Sequence, residues 1–139
     1  MERFLGAWRL VAFEEDGAAG EVVYPYGPDP VGLLVYDSSG RMSVQIMRRD
    51  RTVRSSQDWQ ALPAEEIRNA VEGFTAFFGS FEVDEANRIV IHHVEGHILP
   101  DSVGKSLQRE FTFTDELLIL KPSPTRRVIW ERIRPRANR

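Results

Sequence analysis

The stretch from Tyr24 to Met47 constrains the fold most. Its prolines at positions 25, 28 and 30 fix φ and lack a backbone N–H, so regular strand pairing cannot begin before Val31. Two apolar segments then follow, Val31–Tyr36 and Met42–Met47, separated by the polar turn Asp37-Ser38-Ser39-Gly40. This pattern predicts a stiff loop followed by a β-hairpin, which is the start of an antiparallel meander.

Most of the remaining chain also alternates with the two-residue period of a strand. Further strands are predicted at Leu5–Glu14, Glu21–Tyr24, Ser80–Asp84, Arg88–Glu95, Ser106–Phe113, Glu116–Lys121 and Arg126–Arg132. Within the first strand, alternation places Trp8, Leu10 and Ala12 on one face. The strand count is about eight or nine, and strands joined by successive hairpins can close on themselves and so remove their exposed edges. We therefore expect an all-β fold, a closed antiparallel up-and-down β-barrel.

One segment has a different period. Between Pro63 and Phe78, apolar side chains recur at a spacing of three to four residues, which predicts an amphipathic helix of about four turns. A shorter helical turn is expected near residues 56–60. The helix interrupts the strands in mid-chain, where its Phe74, Phe77 and Phe78 make it a candidate lid over one mouth of the barrel. The alternative is a helix that only completes the core.

Length and composition indicate one soluble domain. The 139 residues are expected to form a single domain over residues 1–139, with 133–139 as a loose tail. The net charge of −3 disfavours nucleic acid and anionic membranes as partners. Cysteine is absent, which excludes disulfides and thiolate chemistry. No apolar stretch has the length of a signal peptide or a membrane span, so we expect a cytoplasmic protein.

All three histidines lie close together, at His92, His93 and His97. On a regular strand His93, Glu95 and His97 would share a face and could bind a divalent metal. Gly96 and Pro100 indicate that the strand ends nearby, which favours one inward histidine and two at the barrel rim. We therefore predict neither a metal nor another cofactor.

Arg109 lies on the predicted inner face of its strand, which it shares with Phe111 and Phe113. A cation among inward aromatic side chains needs a partner, because burying an unpaired charge is costly. That partner is either an anionic ligand or a carboxylate of the chain. The candidate carboxylates are Glu82, Glu95 and Glu131.

The hairpin has two registers that the sequence does not distinguish. If Tyr36 lies opposite Ser43, then Tyr36, Ser43 and Gln45 can offer polar groups to a cavity. A shift of one residue instead turns inward the apolar set Met42, Val44 and Ile46.

The remaining motifs do not indicate a catalysed reaction. A basic run comprises Arg48, Arg49, Arg51 and Arg54. It could contact phosphates, but it has no interleaved stacking aromatic and is expected to be a solvated loop. No nucleophile elbow, phosphate loop or dinucleotide glycine pattern is present.

Five short strings, taken in order, resemble the bacterial and fungal family of lipocalin-like domain proteins. They are Gly6–Val11, Tyr24–Tyr36, Gly40–Gln45, His92–Gly96 and Trp130–Arg132. The resemblance spans nearly the whole chain and implies a calycin-type barrel in which Trp8 packs against Arg132 at the closed end. The mid-chain helix is a departure, because in ordinary lipocalins the helix follows the last strand.

We predict that the barrel binds a small, partly apolar ligand, with an anionic group as one option. The predicted ligand-binding residues are Tyr36, Gln45, His93, Arg109, Phe74 and Phe78. The alternative is an isomerase, cyclase or hydrolase of a specialised-metabolite pathway, with His93 as its acid/base; the resemblance suggests it only by analogy of fold. A filled barrel with a structural role is a third hypothesis. The expected partner is a small hydrophobic or amphipathic molecule, and a homodimer is left open.

Overall fold

A computed structural model describes residues 1–136, which form nine β-strands. The strands are β1 (Gly6–Asp16), β2 (Val22–Val23), β3 (Val31–Tyr36), β4 (Arg41–Met47), β5 (Phe74–Asp84), β6 (Ile89–His97), β7 (Ser106–Thr114), β8 (Leu117–Ser123) and β9 (Arg126–Arg132). One helix, α1 (Ala64–Glu72), lies between β4 and β5, and 3₁₀ turns span Glu2–Phe4, Trp59–Ala61 and Pro100–Ser102.

Every neighbouring pair of strands is antiparallel, and the last strand returns to the first. The order runs β1-β3-β4-β5-β6-β7-β8-β9, and β9 pairs again with β1, which closes eight strands into a barrel. The short β2 pairs only with the end of β1, at Glu15 and Asp16. The predicted all-β, closed up-and-down barrel is confirmed. Closure pairs the backbone of every barrel strand on both sides, so no edge is left exposed.

The turn after β3 fixes the register of the first hairpin. Gly40 adopts φ +87°, a conformation that side chains other than glycine rarely tolerate, and its N–H donates to the carbonyl oxygen of Asp37 at 2.9 Å. Tyr36 therefore lies opposite Met42 and not opposite Ser43. This register buries the apolar side chains of β4. Gln45 is on the outer face, where it donates to Ser43 Oγ at 2.8 Å, so its expected place in a cavity is wrong.

The helix is shorter than the spacing of apolar residues predicted. It ends at Glu72, and the N–H of Gly73 donates to the carbonyl oxygen of Asn69 at 3.0 Å. Phe74, Phe77 and Phe78 belong to β5, which pairs with β4 from Phe74 to Ser80. Long-range strand pairing thus determines the conformation of these phenylalanines, and their helix-like spacing in the sequence is coincidental. The helix carries no phenylalanine and buries none of its side chains, so the predicted helical lid is wrong.

A β-bulge in β1 changes which residues face the interior. Leu10 pairs with Trp130, whereas Ala12 pairs with the adjacent Ile129, so Val11 is an extra residue. Trp8 and Leu10 are buried as expected. Beyond the bulge the faces exchange: Phe13 is only 7% exposed and Ala12 does not continue the inner face. Simple alternation was therefore wrong for the second half of this strand.

The closed end of the barrel is filled by the first residues of the chain. Phe4 is buried there with its ring edge-on to those of Tyr36 and Phe111. Trp8 Nε1–H donates to the carbonyl oxygen of Phe4 at 2.9 Å, and the Arg132 guanidinium lies 4.2 Å from the centre of the Trp8 ring. The Trp8–Arg132 contact that the family resemblance implies is confirmed.

Beyond β9 the chain stays close to the barrel for a short distance. Ile133 N–H donates to the carbonyl oxygen of Ala7 at 2.9 Å, and Arg134 forms an ion pair with Glu116 at 3.0 Å. The rest of the predicted loose tail, residues 137–139, falls outside the described residues. Within residues 1–136, no helix is both long enough and apolar enough to cross a membrane.

We expect Trp8→Ala to lower the free energy of unfolding by about 3–5 kcal/mol, because it empties a buried indole site and removes the surface that Arg132 covers. Urea unfolding followed by circular dichroism measures this difference. Trp59→Ala is the matched control, since Trp59 is 63% exposed, and its effect should stay within about 0.5 kcal/mol. Equal losses in the two variants would contradict a structural role for the Trp8 contact.

Candidate functional site

A cavity of about 210 Å³ opens inside the barrel, away from the end that Phe4 fills. Its apolar lining comprises Phe13, Tyr26, Leu34, Val44, Ile46, Phe77, Leu107, Leu120, Pro122, Val128 and Trp130. Five further side chains, those of Thr75, His92, His97, Arg109 and Arg126, supply polar groups. No aspartate or glutamate among residues 1–136 lines it. An apolar cavity with a few polar groups is typical of a site for a small molecule.

Arg109 reaches this cavity from β7, on the face that the sequence predicted. Its one hydrogen bond to the described protein runs from Nη1 to the carbonyl oxygen of the adjacent Gln108, at 3.3 Å. Within residues 1–136 no carboxylate oxygen forms an ion pair with it. Burial lowers the pKa of Arg109, although an arginine remains charged under ordinary conditions. The interior therefore contains a cation without a counter-charge from the described chain.

The three carboxylates that the sequence offered as partners for Arg109 are engaged elsewhere. Glu82 accepts from His93 at 3.1 Å, and Glu95 pairs with Arg41 at 2.6 Å. Glu131 pairs with Arg9. All three pairs are solvent-exposed. These carboxylates therefore already have partners other than Arg109.

The second arginine of the cavity, Arg126, has a partner. Its Nη2 lies 2.8 Å from Glu15 Oε1, and its guanidinium is 5.4 Å from the centre of the Phe13 ring. The buried Nε of Arg126 has no hydrogen-bond partner in the described protein. The Glu15 pair neutralises this arginine, so the surplus positive charge of the cavity belongs to Arg109.

His92 and Tyr36 form a buried pair beside the cavity. Tyr36 Oη lies 2.7 Å from His92 Nε2, and His92 is 3% exposed. Burial raises the pKa of Tyr36, whereas burial and the nearby charge of Arg109 lower the pKa of His92 to about 3. The phenol therefore keeps its proton, and its O–H donates a hydrogen bond to Nε2 of the neutral imidazole. Tyr36 was predicted to line the cavity, but it lies in the core and is not among the cavity-lining residues.

A second β-bulge decides which other histidine faces inward. In β6, Gly96 pairs with Phe78 while Val94 pairs with Gly79, so Glu95 is an extra residue. The bulge turns His97 into the cavity. His93 lies on the outer face, where Nδ1 contacts Ser106 Oγ at 2.8 Å, so its predicted place among the ligand-binding residues is wrong.

The same bulge separates the three residues proposed for a metal site. His93 and Glu95 remain outside, whereas His97 faces inward, so the shared face does not form. Within the described part of the chain, no group of three or more histidine, aspartate or glutamate side chains is placed to hold a metal ion.

His97 presents one defined hydrogen-bond donor. The backbone N–H of Leu99 donates to His97 Nδ1 at 2.9 Å, so the ring proton resides on Nε2. The imidazole stacks on Phe77, with ring centres 5.3 Å apart and planes 6° from parallel. Burial lowers the pKa of His97, which keeps the ring neutral. The stacked ring is thus held in place with its N–H free of a partner among the described residues.

The two phenylalanines predicted to bind ligand are not in the cavity. Phe74 lies under the guanidinium of Arg51, 5.3 Å from the ring centre. Phe78 is 51% exposed and covers Gly96 on the outer face. The cavity instead receives Phe77, which alternates with Thr75 on the inner face of β5.

A larger cleft of about 490 Å³ lies outside the barrel, between the basic run and α1. Arg48 pairs there with Asp50 at 3.1 Å, and Arg51 donates to the carbonyl oxygen of Ala70 at 3.1 Å. The loop that carries these arginines is exposed, as expected. Because the cleft carries both signs of charge and the barrel cavity is lined mainly by apolar side chains, the barrel interior is the stronger candidate site.

Comparison with known protein families agrees with the barrel fold. A family model described as a lipocalin-like domain matches residues 5–135. The chain belongs to this lipocalin-like domain family. No curated protein matches the sequence. The lipocalin-like barrel is consistent with the binding of a small molecule, and its cavity supplies an apolar interior with one unpaired cation.

We expect His92 to make the stability of the folded protein depend on pH. The unfolded imidazole takes up a proton below about pH 6.5, whereas the folded one stays neutral down to about pH 3. The contribution of His92 is therefore full above pH 6.5 and is lost as the pH falls towards 3, by up to about 1.4 kcal/mol per pH unit.

Urea unfolding at pH 7 and pH 5 tests this expectation. The fall in unfolding free energy between the two pH values should be about 2 kcal/mol smaller in His92→Leu than in the unmodified protein. His93→Leu, on the outer face, retains the buried imidazole and is the control. An unchanged fall in His92→Leu would refute the assignment.

Proposed function

We propose that this lipocalin-like protein binds a small, partly apolar molecule with an anionic group inside its barrel, and that Arg109 pairs with that group. The observation that carries the proposal is a half-buried guanidinium that faces a cavity and has no carboxylate partner within residues 1–136. A protein interior retains such a charge at a cost in free energy unless a partner compensates it. An anionic ligand would be that partner.

The apolar lining supports the same proposal. Side chains from seven of the eight barrel strands supply aliphatic and aromatic surface around Arg109. Such a lining favours the hydrocarbon part of a ligand and lowers the local dielectric, which strengthens a single ion pair. The ligand that fits is amphipathic, with an apolar body and one charged end.

The alternative of an enzyme has less support. Its proposed acid/base, His93, lies on the outer surface beside Ser106. The imidazole that lies in the cavity wall next to Tyr36 is His92, and burial lowers its pKa to about 3. A base this weak accepts protons poorly near neutral pH. Binding without turnover is therefore the function that the geometry supports better.

The test uses Arg109→Gln in two measurements. Because the substitution removes an unpaired, half-buried charge, we expect the free energy of unfolding of the ligand-free variant to be up to about 1 kcal/mol higher than that of the unmodified protein. We also expect its affinity for anionic amphipathic compounds found in a thermal-shift screen to fall at least tenfold. Native mass spectrometry of the purified protein reports any molecule that is retained.

Arg9→Gln is the matched control, because Arg9 is an exposed arginine in an ion pair on the outside of the barrel. It should change neither affinity nor stability by more than about 0.5 kcal/mol. The proposal fails if Arg109→Gln destabilises the protein and leaves the affinity of every screened compound unchanged.

A further inference from the structure

We propose that the ligand is a monocarboxylic acid with a single aromatic ring, and that His97 is a second specificity-determining residue, which donates its Nε2–H to the ligand. This inference rests on the proposed function and names the ligand class for the same cavity. It draws on four properties of the described residues: the net charge of the lining, the donor or acceptor character of its polar groups, the shape of its walls and its volume.

The charge of the lining favours a monoanion. Arg126 is neutralised by Glu15, and Arg109 is the one cavity cation without a carboxylate among residues 1–136. His92 and His97 are held neutral by burial, so they add no charge. A dianion such as a phosphate monoester would leave one negative charge uncompensated in an apolar interior, which is costly.

The polar groups of the lining are chiefly donors. Arg109 presents a planar guanidinium, which matches the two oxygens of a carboxylate. His97 can only donate, because Leu99 N–H already occupies its Nδ1 at 2.9 Å. A ligand that supplies acceptor oxygens fits this set, whereas an amine or another cation does not.

The walls and the volume favour a flat, small ligand. The rings of Phe13, Tyr26, Phe77 and Trp130 line the cavity, and the imidazole of His97 lies parallel to that of Phe77. Aromatic surfaces of this kind pack well against another ring. The volume of about 210 Å³ equals that of about seven water molecules in the liquid. It accommodates one ring with a short acidic side chain, whereas a long lipid chain would have to project through the mouth of the cavity into solvent.

Isothermal titration of the intact protein at pH 8 with four probes tests the ligand class. Benzoate and phenylacetate carry one carboxylate, benzamide is the neutral counterpart, and phenyl phosphate is a dianion at this pH. We expect the two carboxylates to bind at least tenfold more tightly than the other two compounds. Arg109→Gln should abolish this preference, and Arg9→Gln should preserve it.

His97→Phe and His97→Gln test the second residue. Phenylalanine keeps a ring on Phe77 but has no donor, whereas glutamine keeps a neutral donor. We expect benzoate affinity to fall about fivefold or more in His97→Phe and to fall less in His97→Gln. In the unmodified protein, the Nε2–H resonance of His97 should shift when benzoate is added, and a purely structural histidine would not respond in this way. Unchanged affinity in His97→Phe, or an unmoved resonance, would overturn the role of His97.

Decanoate, added as a fifth probe, separates this inference from the proposed function. If decanoate, benzamide or phenyl phosphate binds as tightly as benzoate, or if decanoate binds and benzoate does not, the ligand class is wrong while binding in the cavity stands. If no probe binds and no molecule co-purifies, both the ligand class and the proposed function fail.

Discussion

The contact between Trp8 and Arg132 joins the first barrel strand to the last, and the rest of the structure depends on that closure. The indole is buried between the 3₁₀ turn that carries Phe4 and the guanidinium of Arg132. Because β1 and β9 are paired through residues far apart in the chain, an interior forms only when the two ends of the chain meet. The cavity, its unpaired Arg109 and its two histidines are consequences of this long-range pairing.

Paired and unpaired charges lie in different parts of the barrel. Glutamates on the outer strand faces pair with arginines or histidine at the surface, and Glu15 compensates Arg126. Arg109 is left among apolar side chains, where an ionic interaction is strong and an unpaired charge is unfavourable. Stability and the proposed binding therefore make opposite demands at this one position, because the unpaired charge that would bind a ligand destabilises the ligand-free protein.

Much of the fold could be predicted from the sequence because it depends on local pattern. Two-residue alternation and turn residues located the strands, and Arg109 was placed correctly because β7 has no bulge. His97 was missed because an extra residue at Glu95 reverses the alternation, and only strand pairing reveals such a residue. Phe74 and Phe78 were assigned to the helix because their spacing matched a helix, although Gly73 was an available signal for its end.

The bulge at Glu95 has a consequence for how a barrel of this family can diversify. Adding or removing one residue in β6 exchanges the inner and outer faces of the rest of that strand, so the interior chemistry can change without a substitution of any cavity-lining residue. Two relatives could carry the same histidines and differ in whether one of them meets the ligand. Insertions and deletions inside strands, which are usually treated as damage, would here be a route to new binding preferences.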